Sequence, residues 1–423
     1  MIFFVYQFLI YLIQPFFLLH LFFNGIKFPI YFKRINERYG FYFKKKFYQN
    51  GIVIHCVSLG ETLSVIPLIK KINYLYPSIS IIITTTTPSS SNYITAIFKK
   101  KNNIDHIYLP YDLKGAVYRF LNKTNPKLII IMERELWPNL IYQINKKNIP
   151  LILANARLSN KTTKKYKKLA NFFKKIIKKI TFISAQSMED KKNFIELGYP
   201  KKKICIHGNI KFDISINKDL LKKAKKIKKI WGINRFIWIA GSTHENEEKI
   251  ILKIHQNLLK YYPKLLLILV PRHPQRFKKV KELIQKKFKL ICRSEQKHPS
   301  SNTQVVLGDS IGELTLLYGI ADLAFIGGSL VNIGGHNPLE AAVHKLPILI
   351  GPYNYNFKEI CKKLKKNNGL FITYDKYKLM EKIKFFISNK KARIYYGKQA
   401  FNTLHNNKGT LKKLLFLIKN YIK

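Results

Sequence analysis

The stretch Gly327-Gly328-Ser329-Leu330-Val331-Asn332-Ile333-Gly334-Gly335-His336-Asn337-Pro338-Leu339-Glu340 joins a short apolar run to a segment with helical spacing. Asn337 suits an N-cap and Pro338 the first helical position, so the free N–H groups of that turn point back over the end of the preceding strand. Such a turn attracts anions. Glu340, in the same turn, could accept hydrogen bonds from two neighbouring hydroxyls, as a ribose presents them. A phosphate and a ribose together describe a nucleotide; the other reading is an ordinary capped helix after a tight turn.

Further polar residues stand where other apolar runs end. Gly241-Ser242-Thr243-His244-Glu245 leads from a strand into a helix and forms a second possible anion site. Pro271-Arg272-His273-Pro274 sets an arginine at a strand's carboxyl end, where a planar contact with a phosphate or a base is possible. Ile311-Gly312-Glu313 opens another helix. In the first half, Ser58-Leu59-Gly60-Glu61-Thr62 turns into a helix running through Ile66 and Ile69, and Glu61 either serves the helix dipole or offers a carboxylate at the mouth of the sheet. Glu133-Arg134-Glu135-Leu136-Trp137-Pro138 follows an uninterrupted apolar run and carries two acids, which Arg134 could pair. Gly208-Asn209-Ile210-Lys211-Phe212-Asp213 adds a lysine where the chain leaves the first sheet for the linker, a signal that carries little by itself in so lysine-rich a chain.

The elements that must position these residues alternate. Apolar runs at Ile52 to Val57, Ile79 to Ile83, Leu128 to Met132, Leu151 to Leu153, Thr181 to Ser184 and Ile204 to Ile206 are separated by helix-length segments. A second series comprises Phe236 to Ala240, Leu265 to Val270, Leu290 to Cys292, Val305 to Leu307, Leu323 to Ile326 and Pro347 to Ile350. The pattern predicts an α/β protein with two parallel, doubly wound sheets and a cleft between them. The expected division is 1–25 apolar anchor, 26–50 basic juxtamembrane segment, 51–213 first domain, 214–234 linker, 235–390 second domain and 391–423 terminal helices that pack back on the first. Thr84 to Ser91 supplies hydroxyls to a ligand or caps the next helix. One helix expected over Ser159 to Ile180 aligns Tyr166, Leu169, Phe173, Ile176 and Ile180, for packing on a sheet or for membrane contact.

The formal charge of +53 invites a nucleic-acid reading, but the excess is nearly all lysine, spread along the chain with Ile, Asn, Phe and Tyr as AT-rich codon drift produces. No nucleic-acid-binding signature accompanies it, and no nucleic acid is expected as a partner. Cys56, Cys205, Cys292 and Cys361 lack paired metal-ligand spacing and read as buried thiols of a reducing compartment. Residues 1–25 are almost all Phe, Leu, Ile and Tyr, long enough to cross a bilayer, with a basic flank from Lys27 to Lys46 that should stay cytoplasmic. No cleavage signature follows them. Gln7, Gln14, Pro15 and His20 leave an interfacial anchor open beside a spanning one. Either puts the chain at a membrane surface.

Together these motifs resemble the 3-deoxy-D-manno-octulosonic acid (Kdo) transferases of lipid A assembly. His55-Cys56-Val57-Ser58-Leu59-Gly60-Glu61-Thr62, Tyr108-Leu109-Pro110-Tyr111-Asp112, Glu135-Leu136-Trp137-Pro138-Asn139, Asn155-Ala156-Arg157-Leu158-Ser159, Val270-Pro271-Arg272-His273-Pro274 and Gly334-Gly335-His336-Asn337-Pro338-Leu339-Glu340 keep the family's order and spacing between about Gly51 and about Leu404. The resemblance implies a GT-B glycosyltransferase, two Rossmann-like domains with an N-terminal membrane anchor. It implies inverting transfer of Kdo from CMP-Kdo to the tetraacyl disaccharide precursor of lipid A (lipid IVA), with no cofactor and no catalytic metal, at the cytoplasmic face of the inner membrane. It further implies that Glu61 is the general base, that Glu133 and Lys211 stabilise the transition state, and that CMP is held by Pro271, Arg272, Ile311, Gly312, Glu313, Asn337, Pro338, Leu339 and Glu340. Two positions depart from the family: Arg134 replaces a small hydroxyl residue and should lower the pKa of an adjacent carboxylate, and Asn246 replaces a glycine. The alternatives are a GT-B enzyme using another sugar nucleotide, which competition by CMP against UDP would separate, and an anchored relative without catalysis.

Overall fold

The computed structural model describes residues 2–43, 47, 49–232 and 235–422. Lys44, Lys45 and Lys46 of the basic flank, and Ile233 and Asn234 at the end of the expected linker, lie outside the described residues. Two compact units are present, Met1–Asp213 with Lys408–Lys423, and Ile214–Asn407.

The first unit is built on β1 (Ile52–His55), β2 (Ile81–Thr85), β3 (Ile104–Tyr108), β4 (Leu128–Met132), β5 (Leu151–Ala156), β6 (Phe182–Ala185) and β7 (Ile204–Ile206). All pairs are parallel and the order is β3-β2-β1-β4-β5-β6-β7. Helices cover both faces, so central strands must be apolar on both sides. Ile129 and Ile131 of β4 join one core, while Leu128, Ile130 and Met132 join the other. Each such side chain contributes roughly 1.5–3 kcal/mol on burial. Strand order reverses between β1 and β4, which opens a crevice at their carboxyl ends.

The second unit repeats the plan with β8 (Ile237–Thr243), β9 (Leu266–Pro271), β10 (Leu290–Cys292), β11 (Val305–Leu307), β12 (Leu323–Ile326), β13 (Ile348–Ile350) and β14 (Leu370–Ile372). The order is β10-β11-β9-β8-β12-β13-β14, again all parallel, with its reversal between β8 and β12.

Several expectations need correction. The 214–234 segment contains the helix Lys218–Trp231, which belongs to the second unit: Ala224, Ile227 and Trp231 are buried, and Lys228 pairs with Asp322 at 2.8 Å. Of the terminal helices, Lys390–Asn406 stays with the second unit. Only Thr410–Ile422 joins the first, where Leu414, Leu417, Ile418 and Ile422 complete a core and Asp213 accepts from the N–H groups of Gly409 and Leu411, both at 2.7 Å. Cys205 is exposed because β7 is a short edge strand; the other three cysteines are buried. The expected helix over Ser159 to Ile180 is two helices, Asn160–Lys167 and Ala170–Ile177, broken where Leu169 leaves helical geometry at φ −119°.

The basic flank is also not simply displayed. Arg38 is buried and donates to the Thr86 carbonyl at 3.0 Å, and Arg34 grips the buried Glu37 through two hydrogen bonds of 2.9 and 2.7 Å. Such desolvated charges persist only when paired. The apolar N-terminus forms the helices Ile2–Leu12 and Gln14–Lys27, within a stretch, Ile2–Ile26, long and apolar enough to cross a bilayer. One face is docked on the first unit. Tyr6 donates to Asp112 at 2.7 Å, Gln7 to Asn139 at 2.9 Å, and Phe17 stacks on Tyr111. Phe4, 76 % exposed, and Phe8, 68 % exposed, look outward.

Candidate active site

In the first unit, the crevice between β1 and β4 gathers Glu61, Glu133 and Lys211. Ser58 caps the helix Leu59–Leu75: its Oγ accepts from the Glu61 N–H, while Glu61 Oε2 accepts from the Val57 N–H at 2.9 Å. This is a capping box shifted by one residue, the carboxylate reaching the N–H before the cap residue, and it by itself explains a glutamate at that position. It does not explain the electrostatics. Burial first and the Glu133 charge second push the Glu61 pKa up to about 7, against the hydrogen bonds from Val57 and Ser58. A carboxyl that titrates near neutrality can take a proton and release it.

Glu133 follows β4 with φ +60°, a left-handed conformation uncommon outside glycine. Its N–H donates to the Ala154 carbonyl and its carbonyl accepts from the Arg157 N–H, so the ladder to β5 forces the turn. Lys211 Nζ lies 3.3 Å from Glu133 Oε1, both side chains being mostly buried. Lys211 sits in the 3₁₀ turn Ile210–Asp213, fixed by the Asn155 Oδ1 acceptance from the Ile210 N–H at 3.0 Å and by Asn209. Glu135 is engaged elsewhere, its carboxylate accepting from the Trp137 indole at 2.8 Å, and its charge adds to the rise at Glu61. Burial raises the Glu135 pKa despite the lowering by that bond and by Arg134, so the expected effect of Arg134 is present but outweighed.

The sequence motifs without an evident reactive group turn out to hold the crevice together. Asp112 accepts from the Asn139 and Leu140 N–H groups, both at 2.8 Å, and so caps the helix Pro138–Lys146 that follows Trp137. Asp190 does the same for the Leu158 N–H at 2.8 Å. Thr86 donates to the Val57 carbonyl at 3.0 Å, which ties the threonine-rich loop to the turn before Glu61.

In the second unit, Pro271 ends β9 and Arg272 follows it, Ile311 to Glu313 follow β11, and Asn337 to Glu340 follow β12; parallel strands bring all three to the same edge of the sheet. The helix expected after Pro338 is a single turn, Leu339–Ala342, because Lys345 adopts φ +59° and Pro347 follows. Pro338, not Asn337, is the cap residue, though Asn337 Oδ1 still accepts from the Leu339 N–H at 3.1 Å. So short a turn has little dipole, and the local cation is a side chain. Burial raises the Glu340 pKa, and the Arg272 charge and the Asn337 hydrogen bond oppose it, which puts all three groups in one neighbourhood. Glu313 precedes the short helix Leu314–Tyr318 and is engaged by a bidentate Arg293 fork, 3.0 Å on both sides, and by Ser310. Burial would raise its pKa, but the Ser310 and Arg293 bonds prevail and hold it low. Gly312, at φ +85°, and Ile311, 81 % exposed, leave the backbone of this turn open.

One residue outside the quoted motifs, Glu247, organises this edge together with residues inside them. The buried Glu247 accepts from the N–H groups of His244, Gly328, Ser329 and Leu330, so one carboxylate shapes the glycine-rich turn. Its position in a first helical turn was the available signal, and dipole complementarity was a sufficient explanation for it. Asn246, at φ +71°, occupies the left-handed position just before the helix Glu247–Leu259, a backbone that suits the glycine expected there from the family resemblance and that asparagine also tolerates. His244 and His336 stack with their Nε2 atoms 2.8 Å apart, so one ring donates and the other accepts. Burial and then Arg272 push His336 down to about 3. Gly328 has φ +68°, and an added Cβ would come within 3.1 Å of the His336 ring.

Residues 33–214 match the family described as 3-Deoxy-D-manno-octulosonic-acid transferase (kdotransferase), and residues 234–403 match Glycosyl transferases group 1. A solved glycosyltransferase from Rickettsia africae, 17 % identical, shares the two-unit fold at a TM-score of 0.57, covering 89 % of this chain and 99 % of that one. The solved C-terminal CMP-Kdo binding domain of WaaA from Acinetobacter baumannii is 34 % identical, covering 44 % of this chain and 99 % of that domain at a TM-score of 0.43. The 3-deoxy-D-manno-octulosonic acid transferase of Rickettsia felis is 32 % identical over 88 % of this chain and 79 % of its own length. That of Haemophilus influenzae is 43 % identical over 99 % of this chain and 98 % of its own. With likeness of that degree along nearly its whole length, this chain is a GT-B enzyme that transfers Kdo in lipopolysaccharide biosynthesis and belongs to the Kdo transferase family.

Proposed function

We propose that the enzyme takes Kdo from CMP-Kdo and adds it to the tetraacyl disaccharide precursor of lipid A at the cytoplasmic face of the inner membrane. The observation that carries the assignment of roles is Glu61, its pKa near 7, beside the Glu133–Lys211 pair. Glu61 removes the proton from an acceptor hydroxyl as its oxygen attacks the anomeric carbon of Kdo. The bond from that carbon to the phosphate oxygen breaks, and CMP leaves with the electron pair. Positive charge grows on the sugar ring, which Glu133 stabilises, and negative charge grows on the phosphate, which Lys211 stabilises. Attack opposite the leaving group inverts the anomeric centre. Lys211 supplies a cation in the role that a metal fills elsewhere.

CMP belongs on the second unit. Glu340 accepts the ribose hydroxyls, Arg272 supports both Glu340 and a phosphate, and the open turn at Ile311 and Gly312 meets the base, while Glu313, Asn337, Pro338, Leu339 and Pro271 shape the site. The N-terminal apolar helices hold the enzyme at the lipid surface where acceptor and soluble donor meet. Kinetics of Glu340→Ala test this assignment: a ribose contact is largely uniform binding, so the donor KM should rise more than turnover falls. Turnover loss at unchanged donor KM, or stronger competition by UDP than by CMP, would refute it.

A further inference from the structure

A groove of about 480 Å³ on the first unit is walled by Tyr6, Trp137, Tyr166, Leu169 and Phe173, with Arg134 and Glu135 also on its lining. It exists because the chain breaks at Leu169. Below the break Ile176 and Ile180 enter the core, while above it Leu169 remains 50 % exposed and Tyr166 stacks on Phe173 at 3.9 Å between ring centroids. The volume falls within the roughly 300–1,000 Å³ of ligand pockets. Tyr6, Trp137, Tyr166 and Phe173 are half-buried and pack on the core, which leaves Leu169 as the exposed apolar side chain at the rim of a preformed apolar slot.

Neighbouring elements specify what covers it. Tyr6 belongs to the N-terminal helix whose outward residues Phe4 and Phe8 are exposed, so the groove adjoins the exposed apolar face of that helix. Arg134 and Glu135 directly follow Glu133, so the same groove adjoins the proposed reaction centre. An occupant that reaches both must be an amphiphile with an apolar chain and a polar, anionic head that Arg134 can attract. We propose that the groove is a subsite for one acyl chain of the lipid acceptor, with Arg134 beside the acceptor's anionic headgroup. The inference rests on the reading of the acceptor as an acylated sugar. It makes the groove, and not the bilayer alone, responsible for recognising acylation.

Native fluorescence offers a direct test with the full chain in vesicles. The protein has three tryptophans; Trp231 and Trp238 are fully buried in the second unit, which leaves Trp137 as the reporter in the groove. A tetraacyl acceptor carrying one brominated chain, in unlabelled vesicles, should quench Trp137 saturably, whereas brominated phospholipid without acceptor should not. No quenching by the acceptor, or equal quenching by bilayer lipid, would overturn the subsite. Because quenching needs no turnover, quenching without Kdo transfer would reject the reaction and keep the groove, and transfer without quenching would do the reverse. Kinetics supply a second arm. Leu169→Trp, which fills the groove, should raise the acceptor KM about tenfold with the tetraacyl substrate, as expected when a few methylenes stay in water, and leave donor KM unchanged. A fully deacylated acceptor should show no such change; an equal rise for both acceptors, or none for either, would count against the proposal.

Discussion

Lys211 reaches within 3.3 Å of Glu133 although the two residues lie 78 positions apart, and each is held by backbone that ordinary propensity disfavours. Glu133 is in the left-handed region, and so is Asn155, whose side chain pins the turn that carries Lys211. Strain of about 1–3 kcal/mol at each such residue persists only where the surroundings over-determine it. If the pair acts on a developing charge separation, Lys211→Met and Glu133→Gln should each lower turnover by about 10²–10³ with modest changes in KM. The double variant should lose far less than the product of the two factors, since the groups act as a unit. Steady-state rates of the three variants check this, and full additivity would argue for independent roles.

The pH dependence should report Glu61. A base must be deprotonated, so kcat/KM should climb through pH 7 and level off above it, following the raised carboxyl. Glu133→Gln removes one cause of the rise and should move this limb to lower pH while the plateau falls. Glu61→Gln should cost roughly 10²–10⁴ in turnover and abolish the limb. Linkage adds a stability test. The folded pKa exceeds the ordinary value of 4.5, so the carboxylate is disfavoured by folding, and stability is lost as pH rises between 4.5 and about 7. Glu61→Gln keeps the capping box and should therefore raise the melting temperature at pH 8 but not at pH 4.

Glu247 and Asn246 make a contrast of mechanism at adjacent positions. Glu247→Ala strands buried N–H groups of the glycine-rich turn, each worth about 1–3 kcal/mol when unsatisfied, and should lower thermal stability sharply while weakening donor binding. Asn246→Ala should cost about 1–2 kcal/mol through its left-handed backbone alone, and Asn246→Gly should not. Melting curves of all three distinguish a hydrogen-bond loss from a backbone cost.

Removing residues 1–25 should do more than detach the enzyme from lipid. The docked face of that segment supplies the Tyr6 bond to Asp112, the Gln7 bond to Asn139 and the Phe17 stack on Tyr111, so the truncated chain should melt earlier than the full chain in the same detergent. Flotation with vesicles should fall as well. Unchanged flotation at high salt would assign attachment to the rest of the chain.

Periodicity alone determined the two doubly wound sheets, because a strand covered on both faces has to be apolar throughout, as Leu128 to Met132 is. The edge strands β3 and β14 are absent from the expected series for different reasons. Ile104 to Tyr108 carries Asp105 and His106 and so does not read as a buried run, whereas Leu370 to Ile372 is as apolar and as long as β10 and β11 and was legible but not read. Motif order was enough to place Glu61, Glu133, Lys211 and the residues proposed to hold CMP at strand ends. It could not distinguish a capping glutamate from one near neutrality, since the difference comes from burial and from the charge of Glu133, far along the chain. For the same reason Arg34 and Arg38 are indistinguishable in sequence from the rest of a basic flank, and only packing shows that they engage Glu37 and Thr86; nor does the sequence mark Glu247 as the residue that holds the turn at Gly328, 81 positions away. Local sequence sets which backbone a residue prefers; which charges lose their water, and which neighbours replace it, is decided only when distant segments pack.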